Sequence, residues 1–414
     1  MKRTNTIAVS FANDDITKLA DGCATLWNKL NYRRRQSFFS EIEDFDWSSQ
    51  QEYESFTGWL GSATTQQIIR KNDAAWRSFF ALKKKEANGT LPKTIQRVNP
   101  PGYWKDRKTG KKKGTILIRN DCYHVIGRKL KLPKGLVGKI KGNLRWSGKQ
   151  GGLEIQYDEL SKKWYAHQPV EAVPFSQPSG NHRAFVDIGV RYPIAAVFDD
   201  DDSEPIAYSG SELLSDWWYW TDRISRCQTK LKRVNDRFTS LKLKKLYRTR
   251  RRRFQHGVNA IVRDFVEFCR LRGVEEVVAG DLTGIRDGNV HRIPKVNSMI
   301  HNFWSHDYLL GRLRLTLENY GLRLTLLSEA GTSSRCPRCG STDFERRGRL
   351  FHCRSCGLEA HRDVVGSYNI RHVYRDLMGI GRDVVNRVMA HPRVRRVGSI
   401  LDPLPTPEIG PPGL

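Results

Sequence analysis

Four cysteines in the last third of the chain stand as two C-x-x-C pairs, Cys336/Cys339 and Cys353/Cys356. A tight turn lets both thiolates of one pair reach a single ion, and two pairs complete a tetrahedral S4 set. Gly340 and Gly357 follow the second cysteine of each pair, where such a turn needs a permissive backbone. Every ligand position is a protein thiolate, so none stays open to substrate. The spacing therefore predicts a structural Zn2+ site, with the intervening STDFERRGRLFH as a hairpin. Two carboxylates suggest a different chemistry. Asp187 lies in the apolar run AFVDIGVRYP, where a buried charge is costly without a partner or a metal. Asp363 opens a predicted helix in EAHRDVVGSYNI, a place where Asp also serves as an ordinary cap. Phosphodiester hydrolysis with two divalent ions about 3.5–4 Å apart needs carboxylates converging from strand ends and a helix start.

Composition selects the partner. The chain has 414 residues, too long for one ordinary core, so two to three units are expected. Its formal net charge of +27 calls for a polyanion. No stretch approaches the roughly 18 apolar residues of a membrane span. The opening MKRTNTIAVSFANDD lacks a secretory pattern, so a cytoplasmic location is expected, nucleoid-associated when DNA is bound. In that compartment clustered cysteines point to metal rather than disulfides. The scattered Cys23, Cys122, Cys227 and Cys269 read as small buried hydrophobes. Nucleic acid is the preferred polyanion, and the candidate phosphate contacts are Arg250, Arg251, Arg252 and Arg253, with Arg33 and Arg34 as a second set. Four successive aromatics, Trp217 to Trp220, cannot all face one way on a helix, so most are assigned to the core.

The elements that must position these residues follow from periodicity. Residues 4–12 read as a strand, and residues 16–87 as helices with apolar positions three and four apart. After Asn99-Pro100-Pro101-Gly102 the pattern changes to short alternating runs such as GTILIRN and GGLEIQYDE, predicting a small antiparallel barrel or sheet. HRAFVDIGVRYPIAAVF reads as two strands around a turn. A basic helical stretch spans roughly 211–272, GVEEVVAGD and GLRLTLLSE are strands, and 295–320 is helical. The Pro-rich tail 401–414 is expected to be disordered.

VDIGVRYP, the strand running into DLTGIRD, TSSRCPRCG, CRSCGLEAHRD and the closing NI together resemble the C-terminal half of the TnpB family. These are transposon-associated proteins similar to compact type V CRISPR effectors. LPKG and KKWYAHQPVEA resemble the same family's earlier regions. The resemblance implies an α+β multidomain protein, with an RNase H-like (RuvC) domain holding an inserted zinc ribbon. The implied order is a first strand of a wedge β-barrel at 1–12, a helical recognition region at 13–92, and the wedge barrel at 93–178. A RuvC-like part at 179–330, the ribbon at 331–359 and a final RuvC-like part at 360–400 follow. It further implies an RNA-guided DNA endonuclease with a guide RNA, a target DNA, a short target-adjacent motif and a catalytic Mg2+ pair. Asp187 and Asp363 match two of the family's three acidic positions. The third, a Glu directly before the Asp-Leu, is Gly280 here, in Gly280-Asp281-Leu282. Asp281 replaces it, Glu329 at the end of LRLTLLSE supplies it, or the protein is a nuclease-deficient RNA-guided DNA-binding protein. Glu329 is the favoured candidate, because one step along a strand turns Asp281 to the opposite face.

Overall fold

The computed structural model describes residues 1–40, 44–92, 95–105, 110–112, 114–199, 203–235, 238–281, 306–328, 334–381 and 392–397. They form two compact units, Met1–Val173 and Pro174–Leu414. Glu329 and the tail 401–414 lie outside the described residues.

The first unit opens with β1 (Lys2–Phe11) and three helices, α1 (Asp15–Phe39), α2 (Gln50–Leu60) and α3 (Ser62–Ala87). Seven strands follow: β2 (Thr115–Ile118), β3 (His124–Ile126), β4 (Lys129–Lys131), β5 (Val137–Lys141), β6 (Lys149–Gln150), β7 (Leu153–Asp158) and β8 (Lys163–Glu171). Their order is β2-β7-β8-β1-β5-β4-β3, with β6 against β8 and every pairing antiparallel. The first strand is therefore central to a sheet whose other members lie beyond three helices in sequence. Helix α1 buries Leu19, Cys23, Leu26, Trp27 and Leu30, one stripe at helical spacing, in a core shared with Ile7, Ile116 and Ile155.

The second unit carries the carboxylates. Its strands are β9 (His182–Asp187), β10 (Ile194–Phe198), β11 (Ile206–Tyr208), β12 (Val274–Asp281) and β13 (Arg323–Ser328), with β17 (Arg393–Arg395) at one edge. The sheet order is β13-β12-β9-β10-β11-β17. Strands β9 to β11 form an antiparallel meander, while β12 runs parallel to β9 and β13 parallel to β12. The single basic helical stretch expected from the sequence is two helices, α4 (Ser211–Asn235) and α5 (Leu241–Leu271). Ser240 caps α5 by accepting from the Leu243 amide at 3.1 Å. These helices and α6 (His306–Glu318) cover one sheet face through a core containing Val186, Ala279, Val258, Phe265 and Leu313.

Strand alternation sends the intervening residues to the other face. There Phe185, Val197 and Val278 meet Val364, Tyr368, Ile370 and Tyr374 of α7 (Arg362–Leu377). Each buried large apolar side chain contributes roughly 1.5–3 kcal/mol to holding that helix. A polar cluster pins its far end. Glu276 accepts from Thr325 Oγ1 at 2.6 Å and from the Tyr374 hydroxyl at 2.9 Å, with Arg183 Nε at 3.3 Å. Burial works to raise the Glu276 pKa, but the bonds from Thr325 and Tyr374 and the nearby Arg323 and Arg183 win, and it falls below the ordinary value. Before α7 come β14 (Phe344–Arg347), β15 (Leu350–Cys353) and β16 (Glu359–His361), a separate antiparallel three-stranded sheet.

Candidate active site and metal centre

The thiol cluster is built from its own turns. The Gly340 amide donates to Cys336 O and the Gly357 amide to Cys353 O, both at 2.9 Å. Both glycines adopt positive φ, 75° and 69°, which an L side chain resists. The four Sγ atoms lie within 4.8 Å of one another, with Cys336–Cys356 and Cys339–Cys353 at 3.6 Å. Four soft donors around one point suit a tetrahedral thiophilic ion such as zinc, and the residues present fit it. Although burial works to raise the Cys353 thiol, the Cys356 and Ser355 amides bring it down to about 7. Cys336 is pushed up to about 12, mainly by burial. Phe351, Leu358 and Ala360 pack the ribbon onto Val365 of α7. Asn369 Nδ2 donates to Arg335 O at 2.9 Å, and His372 Nε2 lies 2.8 Å from Pro337 O. The first cysteine knuckle is thus fastened to the same helix that carries Asp363.

Asp187 ends β9, where it pairs with Ala195 of β10. It faces α7 as Phe185 does, because the two are two residues apart on one strand. A Cβ built on Gly366 would sit 2.9 Å from Asp187 Cγ and 3.0 Å from its Oδ2, so only glycine admits this approach of helix to carboxylate. Ser367 completes the contact. Its Oγ donates to Ala195 O at 2.8 Å and lies 3.3 Å from the Asp187 amide. Asp363 stands in the first turn of α7, three and four residues before Gly366 and Ser367 and so on their side of the helix. It is 7% exposed, and Arg349 Nη1 donates to both of its carboxylate oxygens at 3.0 Å. The His361 ring caps the helix toward the Asp363 amide at 3.4 Å.

The register places Gly280 and Asp281 relative to Asp187. Ala279 pairs with Val186 in the parallel ladder, so Gly280 is the β12 position that shares the Asp187 side. Gly280 is buried, and Asp281, exposed at the strand end, follows Ala279 on the opposite face. Leu327 faces α7 with Val278, and β13 ends one residue later at Ser328. Glu329 itself lies outside the described residues.

The arginines divide. Arg34 is fully buried, with Nη2 on Asp73 at 2.5 Å and Nη1 on Asn72 at 2.5 Å. Arg33 reaches Glu52 at 2.8 Å and Asp46 at 3.1 Å. Those two bind the first unit's helices together, which corrects their expected role as phosphate contacts: the acids opposite them were not adjacent in sequence. On α5, Arg250 lies 3.9 Å over the Trp217 ring and donates to Thr221 at 2.9 Å, while Arg253 forks onto Asp216. Arg251 and Arg252 are exposed and have no acidic partner among the described residues. Trp217 is buried and Tyr219 exposed, as a helix face requires. The first unit also holds a cavity of about 780 Å3, lined by Phe11, Lys141, Tyr157, Lys163 and Trp164 among others. Sequence reasoning missed Gly366 and Arg349. The only available signal was the small pair Gly366-Ser367 one turn after Asp363.

Comparison with known proteins falls on these same elements. Residues 167–286, from β8 through β12, match a family described as a probable transposase. Residues 306–370, from α6 into α7, match the Cas12f1-like TNB domain. The TnpB-like protein ORF457 of Acidianus two-tailed virus is 29% identical over 402 residues, covering 89% of this chain and 86% of its own. Among solved structures, the mini-RNA-guided endonuclease CRISPR-Cas_phi3 aligns with a TM-score of 0.56 at 12% identity, covering 93% of each chain, a likeness of fold. The two family matches and the viral relative fall on the elements that carry the TnpB resemblance and support it.

Proposed function

We propose that this protein is an RNA-guided DNA endonuclease whose second unit is a RuvC-like, RNase H-type nuclease. The observation that carries the reading is the packing of α7 on β9. Gly366 brings the helix into contact with the Asp187 carboxylate and leaves Asp363 one turn away on the same side. Two hard carboxylates from a strand end and a helix start are the donor type that magnesium takes. Glu329 is proposed as the third ligand, since it lies two residues beyond Leu327, which faces α7. Bound there, a Mg2+ pair would activate water and stabilise the leaving oxygen. The protein's part is to hold the carboxylates in a fixed geometry and to shield them with α7 and the ribbon.

The order of β13-β12-β9-β10-β11, a meander extended by parallel strands, supports the RNase H-type assignment. The Cas_phi3 likeness, to a protein described as an RNA-guided endonuclease, supports a guide RNA as partner, and a DNA target is the nucleic acid proposed for it to pair with. Arg251 and Arg252 are the proposed backbone contacts, together with Lys141 and Lys163 beside Trp164 in the first unit. We assign target-adjacent motif reading to the first unit's helices and sheet, as wedge and recognition regions. No helix among the described residues is long and apolar enough to cross a membrane.

The test is to purify the protein with transcripts from its own locus and sequence the bound RNA. The matched complex is then assayed for Mg2+-dependent cleavage of a double-stranded target library. Cleavage should fall by at least about 10²–10³-fold in Asp187→Ala, the scale of losing one preorganised charge contact. A similar loss in Glu329→Ala would assign the third ligand, whereas survival would return the role to Asp281. Guide-dependent binding without cleavage by the wild type would make the protein a nuclease-deficient binder.

A further inference from the structure

Arg349 occupies the two-residue turn between β14 and β15, at the tip of the ribbon hairpin. Its carbonyl accepts the amide of Arg362, the first residue of α7, at 2.9 Å. The turn is therefore tied by backbone to the helix that carries Asp363. From there the side chain sends Nη1 to both oxygens of Asp363 at 3.0 Å, and its guanidinium lies 5.8 Å from the Tyr192 ring. That ring in turn meets the His361 ring edge-on at 4.8 Å. Arg362 Nε stands further off, 3.6 Å from Oδ1, and His361 Nδ1 4.0 Å from Oδ2.

A carboxylate this buried requires a counter-charge. The guanidinium presents only donors, so it cannot share a carboxylate lone pair with a metal, and the two cations repel when both are close. Because the backbone of Arg349 is anchored while its side chain is 33% exposed, the guanidinium can swing to solvent without disturbing the ribbon. We infer that Arg349 is a resident counter-ion of Asp363 which a divalent cation must displace, so that the zinc ribbon sets the divalent-ion affinity of the neighbouring carboxylates. This inference rests on the reading of Asp187 and Asp363 as metal ligands.

The test is a direct binding titration with Mn2+, followed by the EPR signal of the free ion, on the zinc-loaded full chain. Arg349→Gln should bind Mn2+ roughly tenfold more tightly than wild type, the scale of one charge-assisted contact removed from the apo state. Arg349→Lys, which keeps the charge but loses the fork, should fall between them. Without divalent ion Arg349→Gln should melt below wild type, and saturating Mn2+ should raise its melting temperature by more. Asp363→Asn should bind no Mn2+ at this site. Equal affinity in wild type, Arg349→Gln and Arg349→Lys, with binding abolished in Asp363→Asn, would overturn the displacement idea and leave the metal site standing. No Mn2+ binding by wild type and Arg349→Gln alike would remove the metal reading and the inference with it.

Discussion

The second unit contains two side-chain clusters made in opposite ways, one of thiols that could hold a metal ion and one of carboxylates proposed to hold another. The thiols come together within a short piece of chain, Cys336 and Cys356 being 20 positions apart, and each pair takes its shape from its own turn. The carboxylate cluster joins residues from the two ends of the unit, the Asp187–Ser367 contact spanning 180 positions. A local cluster depends on its own residues and its ion. A dispersed one depends on every element that sets the strand against the helix, including residues that never approach the reacting atoms.

Removing the zinc proposed for the thiols should give the largest effect and would break the comparison if it failed. A structural zinc contributes roughly 10–16 kcal/mol of coupled folding and binding free energy in small zinc-binding units. Cys353→Ser, or chelation, should abolish hydrogen-exchange protection through residues 336–361 while β9, β10 and β12 stay protected. Unchanged protection in the ribbon would show that packing alone holds it. Next in size is the pin at the far end of α7. Tyr374→Phe leaves the buried Glu276 carboxylate short of a donor, at a cost of about 1.5–3 kcal/mol in denaturant unfolding. The sign of its pH dependence follows from the lowered Glu276 pKa. That stabilisation is present above the ordinary glutamate value of about 4.3 and is lost as pH falls through the lower folded value. Glu276→Gln should flatten this acid limb, and an unchanged limb would exclude Glu276 as its source.

Gly366→Ala sharpens the contrast at a smaller scale. Overpacking against Asp187 costs roughly 1–3 kcal/mol, and the gain in helix propensity offsets about 1 kcal/mol of it. The net cost should be at most about 2 kcal/mol, while divalent-ion binding weakens and zinc content stays at wild-type level. Weakened zinc binding would mean that the two clusters are not independent. Smallest in stability are Arg251→Ala and Arg252→Ala, within about 0.5 kcal/mol of wild type. Their effect should appear instead as weaker nucleic-acid binding, with the salt slope reduced by roughly 0.7 per lost contact on a single strand. An unaltered slope would leave these two side chains as mere solvated surface.

The same distinction between local and dispersed explains what could be read from the chain. The cysteine spacing sufficed because a C-x-x-C turn carries its own geometry. Asp187 was legible as a charge closing an apolar strand, and Asp363 as an acid at a helix start. Gly366 and Arg349 were not, because their roles exist only when α7 lies on β9 and the hairpin tip lies on α7. The two arginine runs make the point from the other side. Arg33–Arg34 and Arg251–Arg252 look alike in sequence, yet Asp73, Asp46 and Glu52 draw the first pair inside while the second faces solvent. Which acids stand opposite a basic helix is a fact of tertiary packing. Likewise, alternation along β12 put Asp281 on the far face from Asp187, but register was needed to place Gly280 beside it.

Helix α7 is also made late, after every strand whose apolar residues it covers. A nascent chain that has not yet extended past residue 362 can form the meander and add β12 and β13, but Phe185, Val197 and Val278 then remain uncovered. It holds one of the two carboxylates and no complete pair. Synthesis from the N-terminus therefore delivers the second acid and the cover for the apolar face in one segment. An interrupted translation product lacks the paired centre and displays an oily surface that chaperones and proteases can recognise.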